Sequence, residues 1–164
     1  MISIRPATLI DIPYITAIYN EAILNTTATF DTEMKTEKER SVWLLNRNDN
    51  FPVVVAEKNG FVSGYACLNP WSDQKACDVV AEISVFIHPE AQGQGIGKQL
   101  IRTLTDIGQT GSLLSILACI TQGNEQSIHL HRLHGFETIG IVRSYGIKFG
   151  KVLDVTLMQK QYKR

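Results

Sequence analysis

Apolar residues in the first half of the chain recur with the period of a strand and then with that of a helix. Residues 2–8, ISIRPAT, alternate between apolar and polar positions and predict a first strand. Asp11 is a candidate cap for the helix that follows, and Thr36 with Glu39 forms a capping box that opens a second helix. Residues 51–71 then predict two strands joined at an Asn-Gly pair, which indicates a hairpin.

The second half of the chain continues this succession. It predicts a strand over 79–87, a helix after a glycine-spaced turn, a strand over 112–121, a short helix over 124–134 and two final strands over 136–150 and 151–162. We therefore expect an α/β (α+β) fold with a mixed sheet of about seven strands and about four helices. The strand, glycine turn, helix and strand in mid-chain predict a parallel crossover. A single domain over residues 1–164 accommodates all of it.

The charge balance argues against a general polyanion-binding protein. Lys+Arg and Asp+Glu both number 16, the formal net charge is +0 and 44% of residues are hydrophobic. Nucleic-acid-binding proteins usually carry a basic surplus or stripe, so we expect no nucleic-acid partner. No apolar run has the length of a signal peptide or a membrane span, so we expect a cytoplasmic protein without a membrane partner.

The cysteines and histidines do not form a metal-binding pattern. Cys67, Cys77 and Cys119 are widely spaced and odd in number, which favours neither a disulfide framework nor a zinc site. Cys67 and Cys119 lie in apolar surroundings and are expected to be inert core thiols. His131 and His134 can share a helix face, but no carboxylate or cysteine completes a ligand set. We expect no metal.

The junction between the central strand and its helix carries glycines at every second position, Gly93, Gly95 and Gly97. Glycine lets the backbone approach a ligand closely, and a helix N-terminus has free N–H groups, so the two together suit an anion such as phosphate. An ordinary glycine-rich loop is the alternative. The spacing fits neither a P-loop nor a G-x-G-x-x-G dinucleotide fingerprint, because Gln92 and Gln99 stand where a P-loop needs glycine and Ser or Thr.

The spacing that does fit is Q/R-x-x-G-x-G/A, filled by Gln92, Gly95 and Gly97. At these residues the chain resembles the GNAT superfamily of acyl-CoA-dependent N-acetyltransferases. The segment NEQSIHLHRLHGF, residues 124–136, is similar to a second motif of that family. Further segments resemble the phosphinothricin and methionine sulfoximine N-acetyltransferase branch, namely IRPAT, TATFDTE, NPW, AEISVFIHP, LHRLHGF and GIKFGKVLDV. The resemblance implies a GNAT-type three-layer fold.

The resemblance also implies acetyl-CoA as the co-substrate. In the family the glycine turn cradles the CoA pyrophosphate, and the strand before it binds the pantetheine arm through backbone groups. The positions that the resemblance assigns to cofactor binding are Val85, Phe86, Ile87, Gln92, Gly93, Gln94, Gly95, Ile96, Gly97, Lys98, Asn124 and Ser127. The three strand residues are equally expected as core side chains, and Asn124 as a helix cap.

Acetyl transfer to an amine needs a base, because an alkylammonium is mostly charged at neutral pH. Glu82 is the candidate, since it lies in the central strand between Ala81 and Ile83 and matches a glutamate of the branch. Partial burial would raise its pKa toward a useful range. The alternative is a strand glutamate that faces solvent or pairs with a lysine. His131 stands where many family members have tyrosine, and we expect it to assist thiolate protonation or to contact CoA.

The acceptor side matches the branch less well. Phe30, Glu33 and Trp71 match positions that shape its amino-acid pocket, and Lys75 is the only cation soon after the tryptophan, where arginines are usual. Leu153 and Ile147 also replace residues typical of the branch. We expect direct acetyl transfer to the α-amino group of a small amino-acid-like molecule, and the resemblance to the branch implies a homodimer. Acetylation of a protein or peptide on the same scaffold, or a non-catalytic CoA-binding module, are the alternatives.

Overall fold

The computed structural model describes residues 1–164 and confirms the expected order of elements. The strands are β1 (Ile2–Pro6), β2 (Val53–Lys58), β3 (Phe61–Pro70), β4 (Val80–Ile87), β5 (Ser115–Thr121), β6 (Glu137–Lys148) and β7 (Lys151–Gln161). The helices are α1 (Ile12–Asn25), α2 (Glu37–Leu45), α3 (Ile96–Thr110) and α4 (Glu125–Leu133). Seven strands and four helices agree with the sequence-based expectation.

Local sequence explains several of these boundaries. The capping box at α2 is confirmed, because the Thr36 hydroxyl accepts from Glu39 N and the Glu39 carboxylate accepts from Thr36 N. The β2–β3 turn is confirmed too, with Asn59 at φ 54° and Gly60 at φ 80°. Asp11 precedes α1 as expected, but its carboxylate makes no cap there. It accepts from Arg5 at 2.8 Å and from Thr8 N instead, which ties β1 to the start of α1.

The strands form one mixed sheet in the order β1-β2-β3-β4-β5-β7-β6. Only β4 and β5 pair in parallel, across the α3 crossover, and the other neighbouring strands are antiparallel. The β4–β5 pairing ends at Glu82 opposite Leu117. Beyond that pair, residues 83–87 of β4 keep β3 as a partner but have no strand on their other side. The sheet therefore opens into a cleft between β4 and β5.

Helices cover both faces of the sheet, which gives the three layers expected. On one face Leu100, Leu104 and other α3 residues pack on the alternate strand positions that include Ala66 and Ile116, in a core of 19 buried residues. On the other face Ile15 of α1 packs with Val55 and Tyr65 in a core of seven. No helix combines the length and apolar character that crossing a membrane would need. The cleft between β4 and β5 opens among these layers.

Candidate active site

A cavity of about 480 Å³ occupies the cleft where β4 and β5 diverge. Its walls come from β3, β4 and β5, from α1 and the segment after it, from α2 and α4, and from Tyr145 on β6 and Val155 on β7. The expected site residues that line it are Phe30, Glu82, Val85, Phe86, Asn124, Ser127 and His131. The fold therefore brings the candidate base, part of the expected pantetheine strand and the α4 residues to one space.

Glu82 is half-buried on β4 and faces this cavity. Burial raises the pKa of its carboxyl, and a hydrogen bond from the Cys119 thiol opposes that rise. Cys119 is the only group in the protein that donates to the carboxylate, and no lysine or arginine forms an ion pair with it. Neither form of the alternative expectation, a solvent-facing glutamate or one paired with a lysine, matches this environment.

Cys119 is not the buried core thiol expected from the sequence, although its protonated state at neutral pH agrees with the expected lack of reactivity. It is half-buried on β5, lines the cavity and lies with its Sγ 3.7 Å from Glu82 Oε2. Burial and the neighbouring carboxylate raise its pKa to about 12, so the thiol keeps its proton at neutral pH. Cys67 does match the expectation, since it is 3% exposed among core residues. The strand pattern gave no sign that the divergence of β4 and β5 would expose Cys119.

The glycine turn lies at the N-terminus of α3, beyond the end of β4. Gly93 and Gly95 have φ of 74° and 81°, a region that favours glycine, and a Cβ at either position would meet nothing within 4 Å. No side chain caps α3, and the first helical N–H with a backbone acceptor is that of Gln99, which donates to Gly95 O at 3.3 Å. The preceding N–H groups of the turn and the positive end of the helix dipole are free to bind an anion.

The turn is held against β4 by its third glycine. A Cβ on the buried Gly97 would lie 3.1 Å from Ile87 Cδ1, so glycine allows α3 to pack closely on the end of β4. Ile96 is buried in the larger core, whereas Gln92, Gln94 and Lys98 are exposed around the turn. Ile87 does not line the cavity. The Ile87 side chain packs against the glycine turn. The Ile87 backbone belongs to the part of β4 that has no β5 strand beside it.

Helix α4 supplies the opposite wall. The side chain of Asn124 caps it by accepting from Ser127 N at 3.2 Å, which confirms the capping part of its expected role. His131 is 4% exposed, and its Nδ1 lies 2.7 Å from Ser127 O. A carbonyl oxygen only accepts, so Nδ1 carries the proton in that contact. Burial lowers the pKa of His131, so the neutral ring offers Nε2 as an acceptor.

Of the four residues expected to bind the acceptor, one lines the cavity and three do not. Phe30 lines the cavity, and its ring lies 5.1 Å from that of Tyr145. Glu33, Trp71 and Lys75 are exposed and lie outside the cavity lining. Their role in acceptor binding stays a prediction from the resemblance.

An aromatic wall that the sequence did not reveal completes the cavity. Arg40 is only 8% exposed, and its guanidinium carbon lies 3.8 Å from the ring centre of Trp43 and 4.6 Å from that of Tyr19. Its Nη2 donates to the Tyr65 hydroxyl at 3.1 Å. These residues come from α1, α2 and β3, and only the long-range packing of those elements brings them together. No local spacing in the sequence could have identified them.

Comparison with known proteins identifies the family. The model of the acetyltransferase (GNAT) family matches residues 15–136. The chain belongs to the GNAT family. It is 38% identical over 159 residues to an L-methionine sulfoximine/L-methionine sulfone acetyltransferase of Pseudomonas aeruginosa, an alignment that covers 96% of this chain and 92% of that protein.

Two solved structures of similar proteins have the same fold. A phosphinothricin acetyltransferase from Sinorhizobium meliloti in complex with acetyl-CoA superposes with a TM-score of 0.93 at 33% identity, covering 98% of this chain and 88% of that one. A ribosomal-protein-alanine N-acetyltransferase from Brucella melitensis gives a TM-score of 0.94 at 41% identity, covering 97% and 99%. This GNAT chain is thus similar both to an enzyme named for a small amino-acid analogue and to one named for a protein substrate.

Proposed function

We propose that this GNAT protein transfers the acetyl group of acetyl-CoA to the α-amino group of a small amino-acid-like acceptor. One observation carries the proposal: the carboxylate of Glu82 lies in a cavity at the point where β4 and β5 separate, and the same strand leads to the open N-terminus of α3. A base and an anion-binding turn at two ends of one strand suit a long thioester co-substrate with a phosphate end.

Acetyl-CoA would lie along the open side of β4. The N–H groups of the turn Gly93–Lys98 would hold its pyrophosphate, with Gln92, Gln94 and Lys98 exposed around it. The pantetheine arm would pair with backbone groups of Val85 and Ile87, which face the side of β4 that no strand occupies. Phe86 would contact the arm through its side chain, which lines the cavity. Asn124 and Ser127 would contact the arm from α4, since both line the cavity.

Glu82 would accept the proton of the incoming ammonium, directly or through water. Burial raises the pKa of its carboxyl, which brings the group closer to the working pH and makes it a stronger base. The amine freed of its proton then attacks the thioester carbonyl. Backbone N–H groups on the open side of β4 would donate to the oxygen as it gains charge.

His131 would contact the CoA arm rather than protonate the thiolate. Its Nδ1 donates to Ser127 O, and its lowered pKa keeps the ring neutral, so Nε2 has no proton to give at neutral pH. Solvent then supplies the proton to the departing thiolate. Of the two roles that the sequence suggested for His131, we keep the contact with CoA and not the protonation of the thiolate.

Transfer would be direct, without an acetyl-enzyme. Cys119 is the cysteine that contacts Glu82, and its thiol has a pKa of about 12. Cys67 also lines the cavity, and burial raises the pKa of its thiol too. The thiolate is the nucleophilic form, and only a trace of it exists at neutral pH. Attack by the acceptor amine itself is the simpler course.

The acceptor would be small because aromatic rings surround the space beside Glu82. Phe30 and Tyr145 form one side, and Tyr19, Trp43 and Tyr65 form another. The relative named for methionine sulfoximine and sulfone, and the neighbour named for phosphinothricin, indicate this acceptor class. Glu33, Trp71 and Lys75 would contact the acceptor only outside the cavity, because their side chains are exposed and do not line it.

We further propose a homodimer in the cytoplasm. Strand β6 is an edge of the sheet and carries exposed apolar side chains, including Ile141 and Ile147 at 54% and 68% exposure. An uncovered apolar edge strand favours pairing with another chain. The three free cysteines suit a reducing compartment.

The proposed activity is tested by release of free CoA from acetyl-CoA in the presence of different amines. The panel contains L-methionine sulfone, L-methionine sulfoximine, phosphinothricin and the common amino acids. A peptide that begins with alanine tests the second candidate function, protein N-terminal acetylation, which the Brucella structure favours. We expect turnover with a small amino acid and little with the peptide. Turnover with the peptide alone would replace the proposal, and binding of acetyl-CoA without turnover would support the non-catalytic alternative.

A further inference from the structure

Glu82 and Cys119 are in contact at the point where β4 and β5 separate. Glu82 is the last residue of β4 that pairs with β5, opposite Leu117, and Cys119 lies two residues further along β5. The thiol lies 3.7 Å from Oε2 of the carboxylate, within the range of a sulfur hydrogen bond, and both side chains line the cavity. Glu82 accepts no other hydrogen bond in the protein, so this contact is the one hydrogen bond that orients its carboxylate.

We propose that Cys119 is a positioning residue for the acetyl transfer: its S–H group donates to Glu82 Oε2, keeps the carboxylate ionised and turns Oε1 toward the acceptor amine. The inference rests on the proposed role of Glu82 as the base. The thiol is suited to this task because its pKa of about 12 keeps the proton on sulfur throughout the working range. The hydrogen bond in turn lowers the pKa of Glu82 against the effect of burial.

Other groups around the cavity do not replace this donor. The titratable and charged side chains that share the cavity with Glu82 are Tyr19, Asp31, Arg40, Tyr65, Cys67, His131 and Tyr145. Arg40 donates to Tyr65, the Cys67 thiol to Asn69, and His131 to Ser127. Tyr19 donates to Asp31. None of them donates a hydrogen bond to Glu82.

The first experiment compares the pH dependence of kcat/KM in three enzymes: wild type, Cys119→Val and Cys119→Ser. Valine fills the space and keeps water out but cannot donate, whereas serine restores a donor. The best acceptor from the panel is used throughout. The kcat/KM of each variant is divided by that of the wild type at each pH, so that the ionisation of the acceptor cancels. Cys67→Ala is the matched control, because this thiol lies on the same face of the sheet but donates to Asn69.

We expect the acidic midpoint of Cys119→Val to move to higher pH by about half a unit, since the variant loses one weak donor to a carboxylate. Well below the midpoint this shift alone lowers kcat/KM by about threefold. Well above it kcat/KM should also stay below the wild-type value, because the carboxylate is no longer turned toward the acceptor amine. Cys119→Ser should restore the wild-type midpoint or move it lower. Cys67→Ala should leave the midpoint in place. A midpoint unmoved in Cys119→Val would overturn the proposal.

The second experiment tests the contact between Glu82 and Cys119 without catalytic turnover. The rate at which iodoacetamide alkylates Cys119 is measured by mass spectrometry at several pH values in wild type and Glu82→Gln, with Cys77 as the internal reference. We expect faster alkylation in Glu82→Gln, because loss of the carboxylate charge eases formation of the thiolate. An unchanged rate contradicts the pairing. If instead Glu82→Gln keeps the wild-type acidic limb, the base assignment fails, and the alkylation rates alone decide whether the pair exists.

Discussion

Glu82 is a carboxylate that the fold takes partly out of water and does not pair with a cation. This placement serves base catalysis, because it raises the pKa of the group, and it costs stability, because the charged form is poorly solvated. One side chain therefore links activity and folding at the residue scale. Replacing Glu82 with a residue that cannot ionise should therefore lower the activity and raise the stability, so one substitution distinguishes the two effects.

Glu82→Gln keeps the size of the side chain and removes its ability to accept a proton. We expect single-turnover acetyl transfer to slow by about 10²–10⁴-fold, the usual worth of general-base assistance. Acetyl-CoA affinity measured by calorimetry should stay near the wild-type value, because the proposed cofactor contacts lie elsewhere. The acidic limb of the rate profile should flatten. A wild-type single-turnover rate with an unchanged limb would make Glu82 structural.

The same variant should be more stable than the wild type at neutral and basic pH. Burial raises the pKa of Glu82 in the folded chain above its value in the unfolded chain. The folded state then binds more protons between those two pKa values, so the wild type loses stability as the pH rises through that window. We expect Glu82→Gln to unfold at a higher temperature at pH 8. The gap should close below the ordinary carboxyl pKa of about 4.3, and a variant less stable at pH 8 would contradict this account.

At the scale of elements, the parts set by short stretches of sequence were predictable. The capping box of α2, the Asn-Gly turn and the glycine turn at α3 each depend on a few adjacent residues. The cavity wall was not predictable. Arg40 and Tyr145 meet the space beside Glu82 only through the order and register of the sheet, and Cys119 is exposed only because β4 and β5 diverge. Periodicity describes one element at a time and contains neither fact.

The glycine turn gives a prediction at this scale. Gly95→Ala should weaken acetyl-CoA binding by on the order of tenfold or more, because the new methyl group would occupy open space where the proposed pyrophosphate lies and would strain the turn. Gly60→Ala is the matched control, since Gly60 has φ 80°, equally open surroundings and a place in the β2–β3 turn. Both variants should lose about 1–2 kcal/mol of stability to left-handed strain. Equal acetyl-CoA affinity in the two variants would contradict the role of the turn.

At the scale of the whole molecule, strand β6 links the proposed dimer interface to the acceptor side of the cavity. Tyr145 lies on β6, lines the cavity and packs on Phe30. The buried Lys148 at the end of the same strand donates to Thr29 O at 2.7 Å, which ties the strand to the segment that carries Phe30. A partner that covers β6 would therefore support the acceptor side of the cavity, while the turn at α3 lies apart from that strand.

Ile147→Glu places a charge on this edge, where the side chain is 68% exposed. We expect the wild type to sediment at twice the chain mass of 18.3 kDa and the variant to sediment as a monomer, because burying an unpaired carboxylate opposes association. Phe61→Glu, at a position on β3 that is 63% exposed, should leave the mass unchanged. Because β6 supports Tyr145 and Phe30, the monomeric variant should show a higher KM for the acceptor with acetyl-CoA affinity retained. A monomeric wild type, or a dimer that survives Ile147→Glu, would move the interface away from β6. An unchanged acceptor KM in a monomeric variant would show that each chain holds a complete site.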